Sequence, residues 1–501
     1  MQKMKKSLFV LLGALCSMGL SAKTKTATPL SFDRSKGVKT QLTMPDGQSV
    51  SYTAYTQLYY VSHVEDSTYQ YLNIFVPDGA TERTPIFLRT YVGGYMESRA
   101  GKPQADDASG RALAEGYVLV IPGSRGRRST VTQGKKTLYT GRAPKGLLDL
   151  KAAVRYLRHF DREIPGDKER IITDGTSAGG AMSALLGATG NHPSYAPALK
   201  AMGAAEERDD VFASVCYCPI TDLDHADMAY EWLYGQTASR QSLSEDKRAL
   251  TAALASQFPA YQASLGLTLP DGTPLTAETY PAYLKKLLIT SAQEAKDAGA
   301  TIPDSIGFSF SQQAHGQAPI NGGVGAPPTP NRGAGMPPQG MGPRQRQQGE
   351  YITDLDLSKY LDYVVSTQPL KGVPAFDSYG VDGATASGEN GLFGDDAGSD
   401  ANFTPWAATQ TGRRLSPALE ERVRLMNPMN YIGDPKASTA PHWYIRHGAR
   451  DRDTAFPVII NLATKLENVG KEVNFKLPWN RPHSGDYALG ELFAWIRSIV
   501  R

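Results

Sequence analysis

Residues 170 to 187 read RIITDGTSAGGAMSALLG: a β-branched apolar run, a serine framed by glycines, then a row of small and apolar residues. Arg170 to Asp174 has the make-up of a short buried strand, and Ala178 to Leu186 that of a helix lying close to a sheet. With no loop between them, the chain has to turn within Gly175 to Gly179. A Gly-x-Ser-x-Gly match is weak alone in a chain with 49 glycines in 501 residues, because accidental matches are frequent at that composition. Between a strand and a helix it gains a physical meaning: the glycines admit a strained turn, and the serine Oγ stands exposed at its tip. The competing reading is a tight packing turn in which Ser177 is merely small. Whether partners for a nucleophile follow downstream decides between them.

The flanking pattern extends this reading to the whole chain. VKTQLTMPDGQSVSYTAY alternates around Pro45-Asp46-Gly47 and predicts an antiparallel hairpin, with YQYLNIFVP and PIFLRTYVGG as further strands. Apolar runs at GYVLVIPGS, RIITDG, FASVCYCPI, HWYIRHG and VNFKLPW then intervene with helical segments. In GLLDLKAAVRYLRHF, Leu148, Leu150, Ala152, Val154 and Leu157 group toward one side, and YALGELFAWIRSIV closes the chain as an amphipathic helix. Strands apolar throughout need cover on both faces, so the pattern predicts an α/β fold: a mostly parallel sheet with helices on both faces and an antiparallel start. Sites in such sheets lie beyond the carboxyl ends of the strands. CPITDL and PHWYIRHG are separated by about two hundred residues, far more than one crossover helix needs. The expectation is a large, mainly helical inserted lid domain over residues 225–435, dividing the core into 23–224 and 436–501. Within it, residues 226–287 and SKYLDYVV have helical character, whereas the Gly/Pro-rich residues 316–349 lack an apolar pattern and are expected to form a disordered loop.

With 53 basic against 50 acidic residues and a net charge of +3, the chain has no electrostatic footprint for nucleic acid, and a small molecule is the expected partner. Residues 1–22 carry lysines at 3, 5 and 6, an apolar run from Leu8 to Leu15 and a small-residue end near Ala22. This order marks a secretory signal, too short to span a bilayer. The expected destination is periplasmic or extracellular, with no membrane insertion once the signal is removed. A lipid anchor on Cys16 is disfavoured because Leu15 stands where a small residue belongs. The remaining cysteines, Cys216 and Cys218, would point to one face of a strand, and a bridge across a single residue would distort it, so both are expected as buried thiols. No disulfide framework or zinc signature is present in the sequence, and neither metal nor cofactor is expected.

A serine nucleophile on this sheet needs an acid and then a histidine later in the chain. WYIRHGARDRDTAF predicts a strand ending at His447-Gly448, with Asp451 on the loop beyond; VNFKLPWNRPHSGDY predicts a strand followed by His483. His483 would take the Ser177 proton and Asp451 would fix its tautomer. Asp453 competes for the acid role, His447 reads as structural, and Arg450 and Arg452 balance the carboxylates or face solvent. For the oxyanion, the Ala178 N–H would act with one from Gly93 or Gly94, in the loop after PIFLRTY.

Four groups of residues, DGTSAGGAMSALLGATGNHPSY, YCPITDLDHADMAYEW, LKGVPAFDS with GENGLFG, and RHGARDRDTAF with WNRPHSGDY, together resemble the bacterial tannases. These are tannin acyl hydrolases of the α/β-hydrolase superfamily with a large lid. The resemblance implies Ser177, Asp451 and His483 as the catalytic triad and no cofactor. It further implies that Lys371, Glu389 and Asp453 bind the three hydroxyls of a galloyl ring, the lysine as donor and the carboxylates as acceptors. Apart from the resemblance, Lys371 and Glu389 read as ordinary solvated charges. Fungal tannases and feruloyl esterases are expected to flank the serine and histidine with cysteines; here the neighbours are Thr176, Ala178, Pro482 and Ser484. The expected activity is cleavage of galloyl esters, with a broader aromatic-acid or feruloyl esterase, or a non-catalytic binding protein of the same fold, as the alternatives.

Overall fold

The computed structural model describes residues 28–312 and 350–501. The expected signal, Cys16 and the expected loop 316–349 lie outside the described residues. Thirteen strands are described: β1 (Val38–Thr43), β2 (Ser49–Tyr59), β3 (Tyr71–Pro77), β4 (Pro85–Arg89), β5 (Val118–Pro122), β6 (Thr130–Gln133), β7 (Lys136–Tyr139), β8 (Asp167–Thr176), β9 (Ala213–Tyr217), β10 (Phe308–Gln312), β11 (Glu350–Leu355), β12 (His442–Arg446) and β13 (Glu472–Lys476). Nine of them form one sheet in the order β1-β2-β3-β5-β4-β8-β9-β12-β13, and β6-β7 and β10-β11 are separate hairpins. The sheet starts antiparallel through β1, β2, β3 and β5. From β5 across β4, β8, β9, β12 and β13 every pairing is parallel.

Successive residues of the central strands feed opposite sides of the sheet. Val118, Val120, Ile86, Leu88 and Ile171 join one buried cluster, and Leu119, Ile121, Phe87 and Ile172 join the other. The first is covered by helices Lys145–His159, Ala178–Ala188 and Phe456–Asn468, the second by Ala108–Ala114 and Leu489–Ile499. Fully burying each such Val, Leu or Ile contributes roughly 1.5–3 kcal/mol, which is why these strands tolerate no polar alternation. The two thiols depart from expectation in one respect. Both are free and buried, but Cys216 belongs to one cluster and Cys218 to the other. The strand ends at Tyr217, and Cys218, at a φ of 36°, leaves the pleat and points to the opposite side.

The chain leaves the sheet after β9 and returns at β12, and the insertion between is mainly helical. Helix Tyr280–Asp297 buries Tyr280, Leu284, Leu288 and Ala292, one stripe at four-residue spacing. The β10-β11 hairpin is an addition to the expected helices; its two strands are far apart in sequence, so no local turn signal announces it. At the root of the insertion, Asp222 receives His225 Nδ1 at 2.8 Å, Asn427 Nδ2 at 2.7 Å and the Tyr261 hydroxyl. His225 also stacks on Tyr261 with ring centroids 3.7 Å apart. This node ties the outgoing chain at Asp222 to the returning chain at Asn427.

Burial opposes the charged form of His225, but the Asp222 carboxylate, with Asp224 behind it, outweighs that and raises its pKa to about 9. Because this lies above the unfolded value of about 6.5, the stabilisation is complete below that pH and is lost as pH rises through about 9. Comparing thermal midpoints of the wild type and His225→Gln should show the largest gap at or below pH 6.5, shrinking steadily toward alkaline pH. A gap that is constant with pH would exclude a charged His225.

Candidate active site

β8 ends at Thr176, and the helix Ala178–Ala188 starts one residue later, leaving Ser177 alone at the turn with φ 61° and ψ −123°. A non-glycine residue in such a conformation costs about 1–3 kcal/mol. Three backbone bonds hold it: Ser177 N–H donates to the Tyr217 carbonyl at 2.9 Å, and its own carbonyl accepts from Ala181 at 2.9 Å and Ile220 at 3.3 Å. The framing glycines are needed for space. A β-carbon on Gly175 would collide with the Gly179 carbonyl, and one on Gly179 would lie 2.8 Å from the Val92 carbonyl of the loop after β4. The motif therefore lets the turn close on itself beneath a second loop.

His483, on the loop after β13, places Nε2 2.9 Å from Ser177 Oγ and Nδ1 2.8 Å from Asp451 Oδ2. Asp453 Oδ2 is 3.7 Å from the same Nδ1, so Asp451 is the acid in hydrogen-bond contact. Asp451 is fully buried, and its Oδ1 accepts the Asp453 N–H at 2.8 Å. Burial favours its neutral form, yet the hydrogen bond from His483 and the Asp453 N–H hold its pKa below the ordinary value. His447 follows β12 directly, is buried, and brings Nδ1 to 3.4 Å from Asp451 Oδ2. Burial lowers the His447 pKa, so it packs against the acid as a neutral ring. For His483, burial works against the imidazolium, but the hydrogen bond to the Asp451 carboxylate more than compensates and pushes its pKa above the usual imidazole value. The pocket thus favours the form His483 takes once it has accepted a proton.

The loop bearing His483 is itself anchored to the sheet. Asp486 accepts from Arg89 Nη2 at 2.5 Å and from the Ala108 N–H at 3.1 Å, and Arg89, at the end of β4, also pairs with the buried Asp174 of β8. Gly485 lies so close to Thr176 that any β-carbon would overlap the threonine hydroxyl.

The remaining predicted residues surround this chain. Ala178 is the first residue of its helix, so its N–H has no intrahelical partner and is free to serve an oxyanion. Gly93 and Gly94 are exposed in the loop that passes over the turn, Gly94 with a φ of 55°. Glu389 sits in the short helix Gly388–Leu392, where Gly388 packs on Arg127, whose Nε donates to the Gly94 carbonyl at 2.8 Å. Asp453 pairs with Arg452, fulfilling the expected role of that arginine. Lys371 has its N–H on the Tyr230 hydroxyl at 3.2 Å, and that hydroxyl donates to the Arg452 carbonyl at 2.9 Å. This brings the Lys371 backbone beside the acid loop, with Nζ 4.0 Å above the Phe376 ring. A groove of about 570 Å³ lined by Pro29, Tyr55, Leu58 and Val61 contains none of these residues.

Sequence reasoning overlooked several neighbours. Cys218 lies with His483 and Asp451 in a cluster whose ligand-type atoms are within 4.8 Å of one another, and its thiol donates to the Ser484 carbonyl at 3.2 Å. Asp227, Tyr230 and Tyr234 also went unremarked, although their spacing in DHADMAYEWLYG already placed them on one helical face.

A strained serine between strand and helix, bonded in sequence to an imidazole and a buried carboxylate at the ends of parallel strands, defines an α/β-hydrolase. The comparisons narrow the class. A protein-family model described as BD-FAE matches residues 72–264. No curated protein matches the chain. Among solved structures, the native tannin acyl hydrolase from Lactobacillus plantarum is 38% identical over 94% of this chain and 98% of its own, with a TM-score of 0.79. A tannin acyl hydrolase in complex with ethyl gallate gives the same identity, coverage and TM-score. The Fusobacterium nucleatum tannase is 33% identical over 94% of this chain and 100% of its own, with a TM-score of 0.78. The chain belongs to the tannin acyl hydrolase family and is a carboxylic ester hydrolase.

A His483 acting as general base is competent only as the neutral imidazole, and on that reading the acid limb of kcat/KM is expected above the ordinary imidazole value. Asp451→Asn should reduce kcat by about 10⁴ and move that limb to lower pH, because it removes a charge that favours the imidazolium. A pH profile of kcat/KM for both proteins checks this, and a limb that stays in place would dissociate Asp451 from His483.

Proposed function

We propose that this protein is an exported serine esterase that hydrolyses galloyl esters of tannins and alkyl gallates. The single observation that carries the reading is the pair of contacts made by His483, 2.9 Å to Ser177 Oγ and 2.8 Å to Asp451 Oδ2, in a member of this family. Ser177 Oγ attacks the ester carbonyl as His483 Nε2 takes its proton, and Asp451 stabilises the imidazolium. The tetrahedral oxyanion is met by the Ala178 N–H and one from Gly93 or Gly94. The imidazolium then protonates the leaving alcohol, and a water deprotonated by the same ring attacks the acyl-enzyme, releases gallate and restores Ser177. Every step is proton transfer and acyl exchange, so this chain's own residues suffice for it.

Selectivity for the acyl group is assigned to Lys371, Glu389 and Asp453. A site built to hydrogen-bond hydroxyls discriminates against analogues lacking them by roughly 10⁴, whereas apolar fit alone supplies only about 1–3 kcal/mol. Export is supported by the basic, apolar and small-residue order of residues 1–22. Among the described residues no helix is long and apolar enough to cross a membrane.

Ser177→Ala should lower turnover of methyl gallate by roughly 10⁶; an unchanged rate would remove Ser177 as nucleophile. With the wild type, methyl gallate is expected to be cleaved far faster than methyl ferulate. Equal rates on the two esters would replace the galloyl reading with a broader aromatic-acid esterase.

A further inference from the structure

The insertion's first helix, Leu223–Tyr234, contributes four polar side chains that the reaction does not use: Asp227, Tyr230, Glu231 and Tyr234. All four are buried, and their spacing sets them along one face. Directly, or in the case of Glu231 through Arg240, they hold backbone in two places: the segment beginning at Lys371 and the loop that carries Asp451 and Asp453. Asp227 accepts the N–H groups of Phe376 at 2.8 Å and Asp377 at 2.9 Å. Glu231 holds Arg240 through two bonds of 2.9 and 2.7 Å. Arg240 in turn donates to the carbonyls of Lys371 at 3.0 Å and Gly372 at 3.2 Å. Tyr234 reaches the Asp451 carbonyl at 3.4 Å.

Tyr230 alone touches both places. Its hydroxyl accepts the Lys371 N–H at 3.2 Å and donates to the Arg452 carbonyl at 2.9 Å. A phenol has one proton to give, so its direction here is fixed. Lys371 is thereby held at its N–H by Tyr230 and at its carbonyl by Arg240, and only its side chain is left free to choose a partner. On the other side the same phenol oxygen clamps the peptide between Asp451 and Asp453.

We propose that Tyr230 is a positioning residue that sets the span between Lys371 and Asp453, and through that span the preference of the enzyme for hydroxylated aromatic acyl groups. The inference rests on the assignment of Lys371 and Asp453 to substrate hydroxyls. A ring hydroxyl can meet an ammonium and a carboxylate together only if the two stand a fixed distance apart, and hydrogen-bonded recognition tolerates about 0.5 Å of error. A direct Lys371–Asp453 contact is not needed, because both are referenced to one oxygen atom on a buried helix.

The test is a ratio, kcat/KM for methyl gallate divided by kcat/KM for methyl benzoate, which share the ester chemistry and differ in the three hydroxyls. Tyr230→Phe keeps the ring and removes both bonds; the ratio should fall about tenfold, through a higher KM for methyl gallate and a matching rise in the inhibition constant of gallate. In a Lys371→Met background, Tyr230→Phe should change the ratio by less than twofold, since the residue it positions is gone. A ratio unaltered by Tyr230→Phe while Lys371→Met lowers it would overturn the inference and leave the assignment of Lys371 standing. A ratio unaltered by Lys371→Met would overturn that assignment, and the inference with it. Equal losses on both esters after Tyr230→Phe would show that the phenol serves only the acid loop, again overturning the inference. Should Tyr230→Phe fail to fold, Arg240→Lys provides the same reading, since it keeps a cation on Glu231 but cannot bond both carbonyls: a lower ratio supports the ruler and an unchanged one refutes it.

Discussion

The turn at Ser177 is the constraint to which the other features answer. A serine at φ 61° persists only because its surroundings leave it no alternative. Those surroundings come from three places: the Tyr217 carbonyl at the end of β9, the Ile220 N–H just beyond it, and the first turn of its own helix. β9 must therefore lie beside β8 in parallel, which the register Thr176 with Tyr217 satisfies. The loop after β4 must also pass close overhead, which requires Gly179. Once these conditions are met, the first N–H of the helix stands directly beside Ser177, beneath the loop after β4.

The charges beneath the turn are arranged around it. Arg89 lies between Asp174 on the nucleophile strand and Asp486 on the histidine loop. A buried guanidinium flanked by two carboxylates loses much hydration and keeps its place only with geometry that satisfies it. The consequence is mechanical: the strand that presents Ser177 and the loop that presents His483 share one cation. On the opposite side, the buried Asp451 is kept ionised by His483 and the Asp453 N–H. His483 hydrogen-bonds it and also reaches the serine, while His447, neutral and enclosed, lies 3.4 Å from the same carboxylate oxygen.

Much of this was legible in the sequence, and the limits have physical causes. The core strands announce themselves because burial on both faces forces unbroken apolar runs, as in Val118 to Pro122, all buried. Ser177 and Asp451 could be ordered because each stands past such a run, and His483 because it follows the next strand, where a parallel sheet gathers its strand ends. The two thiols misled: a period-two rule holds only within a strand, and Cys218 is one residue outside it. Arg89 with Asp486 and Arg240 with Glu231 were invisible for another reason. A buried ion pair has the composition of two surface charges until the fold brings them together, and nothing local marks Asp486 as the partner of a residue almost four hundred positions earlier. Lys371 and Glu389 were in the same position and came into view only through resemblance to a family.

The place of the insertion in the chain explains how chemistry and selectivity can be separated and still share a site. The chain departs after β9, whose end supports the nucleophile turn, and returns in β12, whose end carries the acid. Any structure built between those two points begins and finishes beside the reacting atoms. Among its contacts with the core, three tyrosines reach the acid loop: Tyr360 donates to the Ala449 carbonyl at 2.7 Å, Tyr234 to Asp451 and Tyr230 to Arg452. These bonds are to backbone carbonyls, so they fix where the loop lies without touching the Asp451 carboxylate or its partner imidazole. The insertion can then vary its helices and its two-stranded sheet while the hydrogen bonds from Ser177 through His483 to Asp451 stay intact. The helix Leu223–Tyr234 is the more constrained, because it bonds both the acid loop and the segment at Lys371.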